Sequence, residues 1–193
     1  HAVRGVDLKI KENEIHGVVG ESGCGKSVTI KSAMRLHDEE KTEYVGKIRF
    51  ENEDILSFNK KQLRDYRGRD VSMIFQDPMT SLDMIMRAGD QIAEMLRKKQ
   101  KISKEQARNR VYDIFEKVGI TPAKQRYKQY PFEMSGGLIQ RVMIAMAIAS
   151  DPKLLIADEP TTALDVTIQA QILDLIKQVQ QETKMSVILV THN

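Results

Sequence analysis

Residues 20–27 read Gly-Glu-Ser-Gly-Cys-Gly-Lys-Ser, which fits the phosphate-loop pattern G-x-x-x-x-G-K-[ST]. The short apolar run 15–19 before them predicts a buried strand. The run 27–36 after them has spaced apolar residues and neither Pro nor Gly, so it predicts a helix. Strand, glycine-rich loop and helix are the context that the motif requires, and this stretch therefore predicts an α/β fold that binds a nucleotide.

The residue types of this loop suit phosphate binding. Gly20, Gly23 and Gly25 lack a Cβ, so backbone N–H groups can approach phosphate oxygens, and the positive end of the following helix faces the same ligand. Lys26 can reach the β- and γ-phosphates, and the Ser27 hydroxyl can bind Mg²⁺. We expect nucleotide contacts from the whole loop and the first helical turn: Gly20, Glu21, Ser22, Gly23, Cys24, Gly25, Lys26, Ser27 and Val28.

The composition is typical of a soluble globular domain. Apolar residues make up 41% and charged residues 30% of the 193 residues, enough for one α/β domain with an inserted subdomain. The net charge of +3 neither requires nor excludes a nucleic acid or membrane partner. The single cysteine excludes an internal disulfide, and the longest apolar run, 142–149, is too short to span a bilayer. Because the chain begins at His1 rather than Met and stops at Asn193 after a strand-like run, we expect it to be cut at both ends.

Two kinds of segment predict additions to the core. Loose alternation over 2–10 predicts a half-buried strand, and 47–50 predicts another, so together they predict a small antiparallel sheet. The apolar stripes of 89–118 predict two helices, the second opened by a capping box of Ser103 and Gln106. This block contains no predicted strand and therefore predicts a helical subdomain inserted into the sheet core.

Three further apolar runs predict buried strands, and each is followed by polar side chains: Gln76 after 71–75, Asp158 and Glu159 after 154–157, and His192 after 185–190. Ligands of open α/β sheets bind at such strand ends. Gln76 can offer its carbonyl to Mg²⁺ or to the attacking water, although a strand-end Gln is more often idle. Asp158 is suited to holding Mg²⁺, and Glu159 is suited to polarising a water for in-line attack on the γ-phosphate. The alternative interpretation of this pair is an acidic turn. His192 can reach the γ-phosphate, although a lone His is usually structural or solvated.

A second anion site is predicted at Ser135-Gly136-Gly137. These residues precede an apolar helical stretch, so a hydroxyl and two residues without side chains lie at a helix N-terminus. The tripeptide by itself is a weak signal, because Ser-Gly-Gly is also a common turn.

The segment 60–69 carries five Lys and Arg residues. The simpler interpretation is a solvated face. The alternative is a face turned toward anionic lipid or RNA.

These segments, in this order, resemble the ATP-binding cassette (ABC) ATPases. The matching parts are the phosphate loop at 20–27, the Gln loop at Gln76, the signature at 134–138, the acidic strand end Asp158-Glu159, the D-loop at 163–165 with Asp165, and the switch His192. The resemblance implies a P-loop NTPase (RecA-like) fold: a mostly parallel sheet core, a small antiparallel β subdomain and an inserted helical subdomain. It implies one domain over 1–193, with 1–76 and 151–193 forming the nucleotide-binding core and 77–150 the helical subdomain.

The stretches 75–82, 130–137 and 158–171 are most similar to the ATP-binding subunits of oligopeptide, dipeptide and nickel importers. The resemblance implies ATP hydrolysis with Mg²⁺, in which Glu159, His192 and Gln76 are catalytic. Ser27, Gln76 and Asp158 would hold the metal. It also implies that two cassettes stack head to tail, so that ATP on the loop of one is closed over by Ser135, Gly136 and Gly137 of the other.

The partners implied by the resemblance are a second cassette, identical or different, and transmembrane permease subunits. The Gln76 loop and the helical subdomain would contact the permease, and an extracytoplasmic substrate-binding protein would take part indirectly. The chain would lie peripherally on the cytoplasmic face of the membrane, with no nucleic acid expected.

Two other functions stay open on the sequence. A soluble ABC-type ATPase acting on DNA or ribosomes is the first, but such relatives tend to carry long coiled coils, zinc-binding cysteine clusters or two cassettes. A nucleotide sensor with little turnover is the second, and the presence of both Glu159 and His192 argues against it.

The chain departs from the family pattern in a few positions. Met134 and Leu138 replace the usual Leu and polar residue of the signature, which puts the support of a closed dimer by Leu138 in question. Asn193 stands where an acid often follows the histidine. No aromatic residue precedes Gly20, so an adenine-stacking aromatic would lie before His1. We interpret Cys24 as a small filler, because phosphoryl transfer needs no thiol.

Overall fold

The computed structural model describes residues 2–77, 81–162 and 164–192. Its centre is a four-stranded parallel sheet with strands in the order β1 (Ile15–Val19), β6 (Ser186–Thr191), β5 (Leu154–Asp158) and β4 (Val71–Ile74). All four strands were predicted, because each is a short apolar run that ends at polar residues. Parallel pairing brings the four carboxyl ends to one edge of the sheet, where the candidate site lies.

Seven helices connect and cover the strands of the described chain. They are α1 (Lys26–Ala33), α2 (Lys60–Asp65), α3 (Ala88–Gln100), α4 (Lys104–Lys117), α5 (Ala123–Arg126), α6 (Gly136–Ile148) and α7 (Val166–Thr183). Short 3₁₀ turns lie at Ile55–Ser57 and Pro131–Glu133, and a π-helical turn lies at Tyr66–Asp70. No helix of the described residues is long and apolar enough to cross a membrane.

The helix predictions hold with small changes of length. The capping box of Ser103 and Gln106 opens α4 as predicted. Helix α1 ends three residues earlier than predicted, since Arg35 takes a left-handed backbone with φ 49°. The predicted loop between α4 and α6 contains the short helix α5, which its few apolar residues did not signal.

Apolar side chains pack on both faces of the sheet. One cluster lies under α1 and α2 and includes Ile30, Leu63 and Ile188. The larger cluster joins α3 to α7 with the opposite face, and Phe115 and Leu155 are fully buried in it. The two clusters fix the sheet between helical layers, which is the doubly covered arrangement of parallel sheets. The predicted α/β class is confirmed.

The small antiparallel sheet is also present, but one of its predicted strands is wrong. It pairs β2 (Arg49–Phe50) with β3 (Glu53–Asp54). Residues 2–10 form no strand in the described chain, and Val6 and Leu8 are exposed. Alternation of apolar residues predicts a strand only where a partner edge is within reach, and here the hairpin 49–54 pairs with itself.

The strand predicted at 15–19 is present, but the prediction that it is buried is wrong. Strand β1 is an edge strand, and Ile15 and Val19 are 39% and 67% exposed. These two side chains share a face with Val187 and Thr191 of β6, where α7 covers the inner strands. Apolar sequence therefore identified the strand, whereas its exposure depends on its place at the edge of the sheet.

Candidate nucleotide-binding site

The predicted phosphate loop lies between β1 and α1. Gly23 and Gly25 have φ values of 81° and 96°, a left-handed conformation that side chains rarely adopt, and Gly25 caps α1. The exposed loop residues are Glu21, Ser22, Gly23 and Cys24, and Val28 lies in the first turn of α1. The loop thus presents backbone to solvent at a helix N-terminus, the arrangement that binds phosphate groups.

Lys26 is folded over this loop and is only 8% exposed. Its Nζ donates to the carbonyl oxygens of Gly20 at 2.5 Å and Glu21 at 2.8 Å, and lies 3.9 Å from Cys24 Sγ. These contacts hold a buried ammonium group beside the loop's own backbone. A phosphate bound in the loop would lie against that ammonium and share it with the carbonyl oxygens.

Ser27 joins the loop to the end of β5. Its hydroxyl donates to Asp158 Oδ1 at 2.8 Å, and the Asp158 side chain is completely buried. Lys31 Nζ lies 3.7 Å from the other carboxylate oxygen, Oδ2, which accepts no hydrogen bond from the described residues. A buried carboxylate oxygen is costly unless a cation or a donor satisfies it.

This geometry fits a magnesium ion between Ser27 and Asp158. Hydroxyl and carboxylate oxygens are ligands that Mg²⁺ prefers, and Mg²⁺ commonly takes one or two protein ligands together with phosphates and water. No group of three or more His, Cys, Asp or Glu side chains in the described chain could hold a metal alone. Ser27 and Asp158 would therefore hold a metal that also binds phosphate and water.

Three side chains converge on one carboxylate oxygen of Glu159. Gln76 Nε2 donates to Glu159 Oε2 at 2.9 Å, and the Thr162 hydroxyl donates to the same atom at 3.1 Å. His192 Nδ1 lies 3.6 Å from it. Gln76 follows β4, Glu159 follows β5 and His192 follows β6, so the parallel sheet brings these three predicted side chains together.

Glu159 itself has an unusual backbone. Its φ of 49° is left-handed, and its N–H donates to the Val190 carbonyl oxygen at 3.0 Å, which extends the pairing of β5 with β6 by one residue. The carboxylate is 14% exposed, whereas the His192 side chain is 57% exposed. A held, partly buried carboxylate at the mouth of the loop is placed to act on water.

Thr162 is the member of this group that sequence reasoning missed. Its position three residues after Glu159, in a turn that follows a strand, is the spacing at which a hydroxyl can reach back to a carboxylate. The paired threonines 161–162 were a usable signal.

The predicted signature lies apart from the phosphate loop of its own chain. Ser135 caps α6, and its hydroxyl accepts from Leu138 N at 3.4 Å, while Ser135 and Gly136 are exposed. A Cβ at Gly137 would lie 3.2 Å from Ile168 Cγ2, so the signature packs against the start of α7. No hydrogen bond or ion pair between described residues links 135–137 to the loop.

The predicted D-loop is tied to α7 by two side chains. Asp165 caps α7 by accepting from Ile168 N at 3.0 Å. Gln169 Nε2 donates to the carbonyl oxygens of Thr161 at 3.3 Å and Leu164 at 2.9 Å. Ala163, which the D-loop prediction also names, lies outside the described residues, as do Pro78, Met79 and Thr80 of the Gln loop and the terminal residues His1 and Asn193.

Comparison with known proteins shows which proteins this chain resembles. The model of the ABC transporter family matches residues 3–162. The chain is 51% identical over 193 residues to the dipeptide transport ATP-binding protein DppD of Bacillus subtilis and 50% identical to the oligopeptide transport ATP-binding protein OppD of the same organism. It covers 58% and 54% of those proteins, so it spans slightly more than half the length of these curated relatives.

Solved structures agree with the sequence relatives. The chain superposes on the dimeric structure of MJ0796, described as a bacterial ABC transporter cassette, with a TM-score of 0.86 and 28% identity. The match covers all of this chain and 80% of that one. A second structure of MJ0796, a post-hydrolysis state bound to ADP and Pi, matches equally well.

Proposed function

Because this chain belongs to the ABC transporter family, we propose that it binds and hydrolyses ATP and that this reaction powers a peptide importer. The observation that carries the proposal is the hydrogen bond from the phosphate loop to the end of β5, beside a carboxylate that meets residues at the ends of β4 and β6. The Ser27 hydroxyl donates a hydrogen bond to Asp158. The next residue, Glu159, accepts a hydrogen bond from Gln76 and lies close to His192. Nucleotide binding and activation of a water would thus occur side by side.

Each group has a distinct task in this proposal. Backbone N–H groups of 20–27 and the Lys26 ammonium would bind the phosphates, and Ser27 with Asp158 would hold Mg²⁺, which would neutralise charge on the phosphate oxygens. Glu159 would accept a proton from the attacking water. Gln76 and His192 would orient the Glu159 carboxylate and the γ-phosphate.

A partner cassette would complete the site. The exposed hydroxyl of Ser135 and the glycines after it form a second anion-binding helix end that does not contact the chain's own loop. The dimeric arrangement described for MJ0796 supports the proposal that two such cassettes face each other. ATP would then be held between the loop of one and residues 135–137 of the other.

A permease would contact a methionine-rich groove beside Gln76. The groove has a volume of about 560 Å³, and its lining includes Met34, Met73, Met95, Met143 and Met146. It lies where the proposed nucleotide-binding core, 1–76 and 151–193, meets the proposed helical subdomain, 77–150. Flexible methionine side chains suit a surface that must repack as a partner moves.

The peptide substrate and the location follow from the relatives. Two relatives of about half identical sequence are described as dipeptide and oligopeptide transport ATP-binding proteins, which supports a peripheral subunit on the cytoplasmic face of the membrane. A substrate-binding protein would act through the permease. The alternative of a soluble ATPase for DNA or ribosomes gains no support from these relatives.

The direct test is to replace Glu159. The variant Glu159→Gln should bind MgATP as the unchanged protein does, while turnover falls by about 100-fold or more because the water loses its proton acceptor. Phosphate release and fluorescent ATP binding measure the two effects. Glu116→Gln, an exposed carboxylate on α4, is the control and should change neither. Near-normal turnover by Glu159→Gln would contradict the proposed role.

A further inference from the structure

A basic cavity of about 640 Å³ lies between the end of α1, helix α2 and the last turn of α3. Its lining carries five cationic side chains and one carboxylate: Arg35, Lys60, Arg64, Arg67, Lys99 and Glu39. It is separate from the phosphate loop, and none of the groups assigned to ATP lines it. The proposed ATPase cycle therefore leaves this concentration of positive charge unused.

Two of the five cations are fixed by the protein. Arg35 donates to Glu39 Oε1 at 2.6 Å and to the Phe58 carbonyl oxygen at 2.8 Å. Arg67 donates to the Met34 carbonyl oxygen at 2.7 Å and also bonds to that of Arg35. These contacts hold the guanidinium groups of Arg35 and Arg67 in place at the cavity wall.

The other three cations of the cavity are Lys60, Arg64 and Lys99. No carboxylate of the described residues forms an ion pair with Lys60, Arg64 or Lys99. A Cβ at Gly68 would lie 3.6 Å from Lys99 Cε, so Lys99 reaches from α3 to the turn 66–70. The side chain as a whole is exposed, yet protein atoms around its ammonium end lower its pKa by desolvation. Burial and the neighbouring Arg35 also lower the pKa of Arg67.

We propose that this cavity is an anion site distinct from both the phosphate loop and residues 135–137, and that it takes a small ligand with two or more phosphoryl groups. Guanidinium groups bind phosphate oxygens in pairs, and lysines on two other helices can close on the same ligand. The cavity volume is in the range of small-molecule sites. A long nucleic acid would require a charged stripe rather than charges that converge on a cavity. An anion here would relieve the repulsion among five cations.

The cavity lies next to the methionine-rich groove. Leu36 and Arg67 line both this cavity and the methionine-rich groove. A ligand in the cavity would therefore lie directly beside the proposed permease surface.

Titration with pyrophosphate tests the site. The protein carries Lys26→Ala so that the phosphate loop contributes little, and binding is followed by calorimetry. Adding Lys60→Ala and Lys99→Ala should weaken pyrophosphate binding about tenfold or more, since two charge-assisted contacts are lost. The matched control replaces the adjacent Lys61 and Lys98, which have the same charge on the same two helices but do not line the cavity.

The outcomes separate a site from diffuse surface charge. Selective loss in the Lys60/Lys99 pair supports the proposal, while equal loss in both pairs, or no binding at all, overturns it. A sedimentation assay with phosphatidylcholine vesicles containing phosphatidylinositol bisphosphate then identifies the source of the phosphate. Vesicle binding that depends on Lys60 and Lys99 indicates a lipid headgroup, and its absence alongside pyrophosphate binding indicates a soluble ligand.

Discussion

Glu159 shows how single residues fix the chemistry of this site. One of its carboxylate oxygens accepts from Gln76 and Thr162 and lies 3.6 Å from His192. These contacts orient a group whose backbone is left-handed and which extends from the end of a buried strand. Replacing a residue that touches Glu159 should therefore change turnover without changing nucleotide affinity.

Thr162 provides the first such prediction. Thr162→Ala should lower kcat about fivefold, the effect of one lost hydrogen bond, because Glu159 is less well oriented. The KM for ATP should stay unchanged, since the hydroxyl contacts the carboxylate and not the proposed phosphate site. Thr162→Ser keeps the hydroxyl and should restore kcat in a steady-state assay. Unchanged kcat in the alanine variant would show that Thr162 does not position Glu159.

Lys26 provides the second. Lys26→Ala should weaken ATP binding by about 10- to 100-fold, because a charge-assisted contact to phosphate is lost. Fluorescent ATP titration measures the affinity, and Lys128→Ala, an exposed lysine far along the chain, serves as the control. Affinity equal to that of the unchanged protein would refute the assignment of 20–27 as the phosphate loop.

At the scale of elements, α1 is held at its end by the turn 66–70. Arg67 bonds to the carbonyl oxygens of Met34 and Arg35, and the Tyr66 hydroxyl donates to that of Ala33 at 3.1 Å. The last carbonyl groups of a helix have no partner within the helix, so these bonds complete it. The helix that begins with Lys26 is thereby anchored at its other end.

Removing this anchor should destabilise the fold. Arg67→Ala should lower the free energy of unfolding by about 1–2 kcal/mol, because carbonyl groups at the end of α1 lose a charged donor. The melting temperature should fall by a few degrees in a thermal scan. Arg69→Ala is the control, since Arg69 pairs with the adjacent Asp70 and is largely exposed. Equal melting temperatures for the two variants would contradict the anchoring role of Arg67.

The elements also show how far sequence predicts structure. Helix α4 was predictable because its cap and its apolar stripe are local, and the four core strands were predictable because each is a short apolar run. The strand expected at 2–10 failed because pairing depends on a distant partner. The basic run 60–69 indicated a solvated face, yet Arg67 in this run anchors the end of α1. The sequence did not predict this role because the carbonyl groups that Arg67 contacts lie more than 30 residues away in the chain.

Part of the candidate site could likewise be predicted from the sequence, and part could not. Ser27, Asp158, Glu159 and Gln76 could be predicted because each follows a recognisable strand or belongs to a motif. That Asp158 keeps an unsatisfied buried oxygen, and that Thr162 joins Glu159, depends on side-chain packing that no spacing reveals. The composition of the site was thus readable from sequence, whereas its internal contacts required the structure.

At the scale of the whole molecule, we assign anion binding to two separate helix N-termini of one chain. The phosphate loop begins α1 and the signature begins α6, and no described contact joins them. In the proposed dimer each end serves a different ATP, so that catalysis needs two chains placed head to tail. Such a site is complete only when an intact loop faces an intact signature of the partner.

Mixing two inactive variants tests this claim most directly. Lys26→Ala removes the ammonium group of the phosphate loop, and Ser135→Arg blocks the signature. Each protein alone should therefore hydrolyse little ATP. Their mixture should regain turnover, because the loop of the Ser135→Arg chain faces the signature of the Lys26→Ala chain. Mixing Lys26→Ala with the double variant should regain none, since no intact loop is present. Full activity of Ser135→Arg alone, or no recovery in the first mixture, would contradict the shared site.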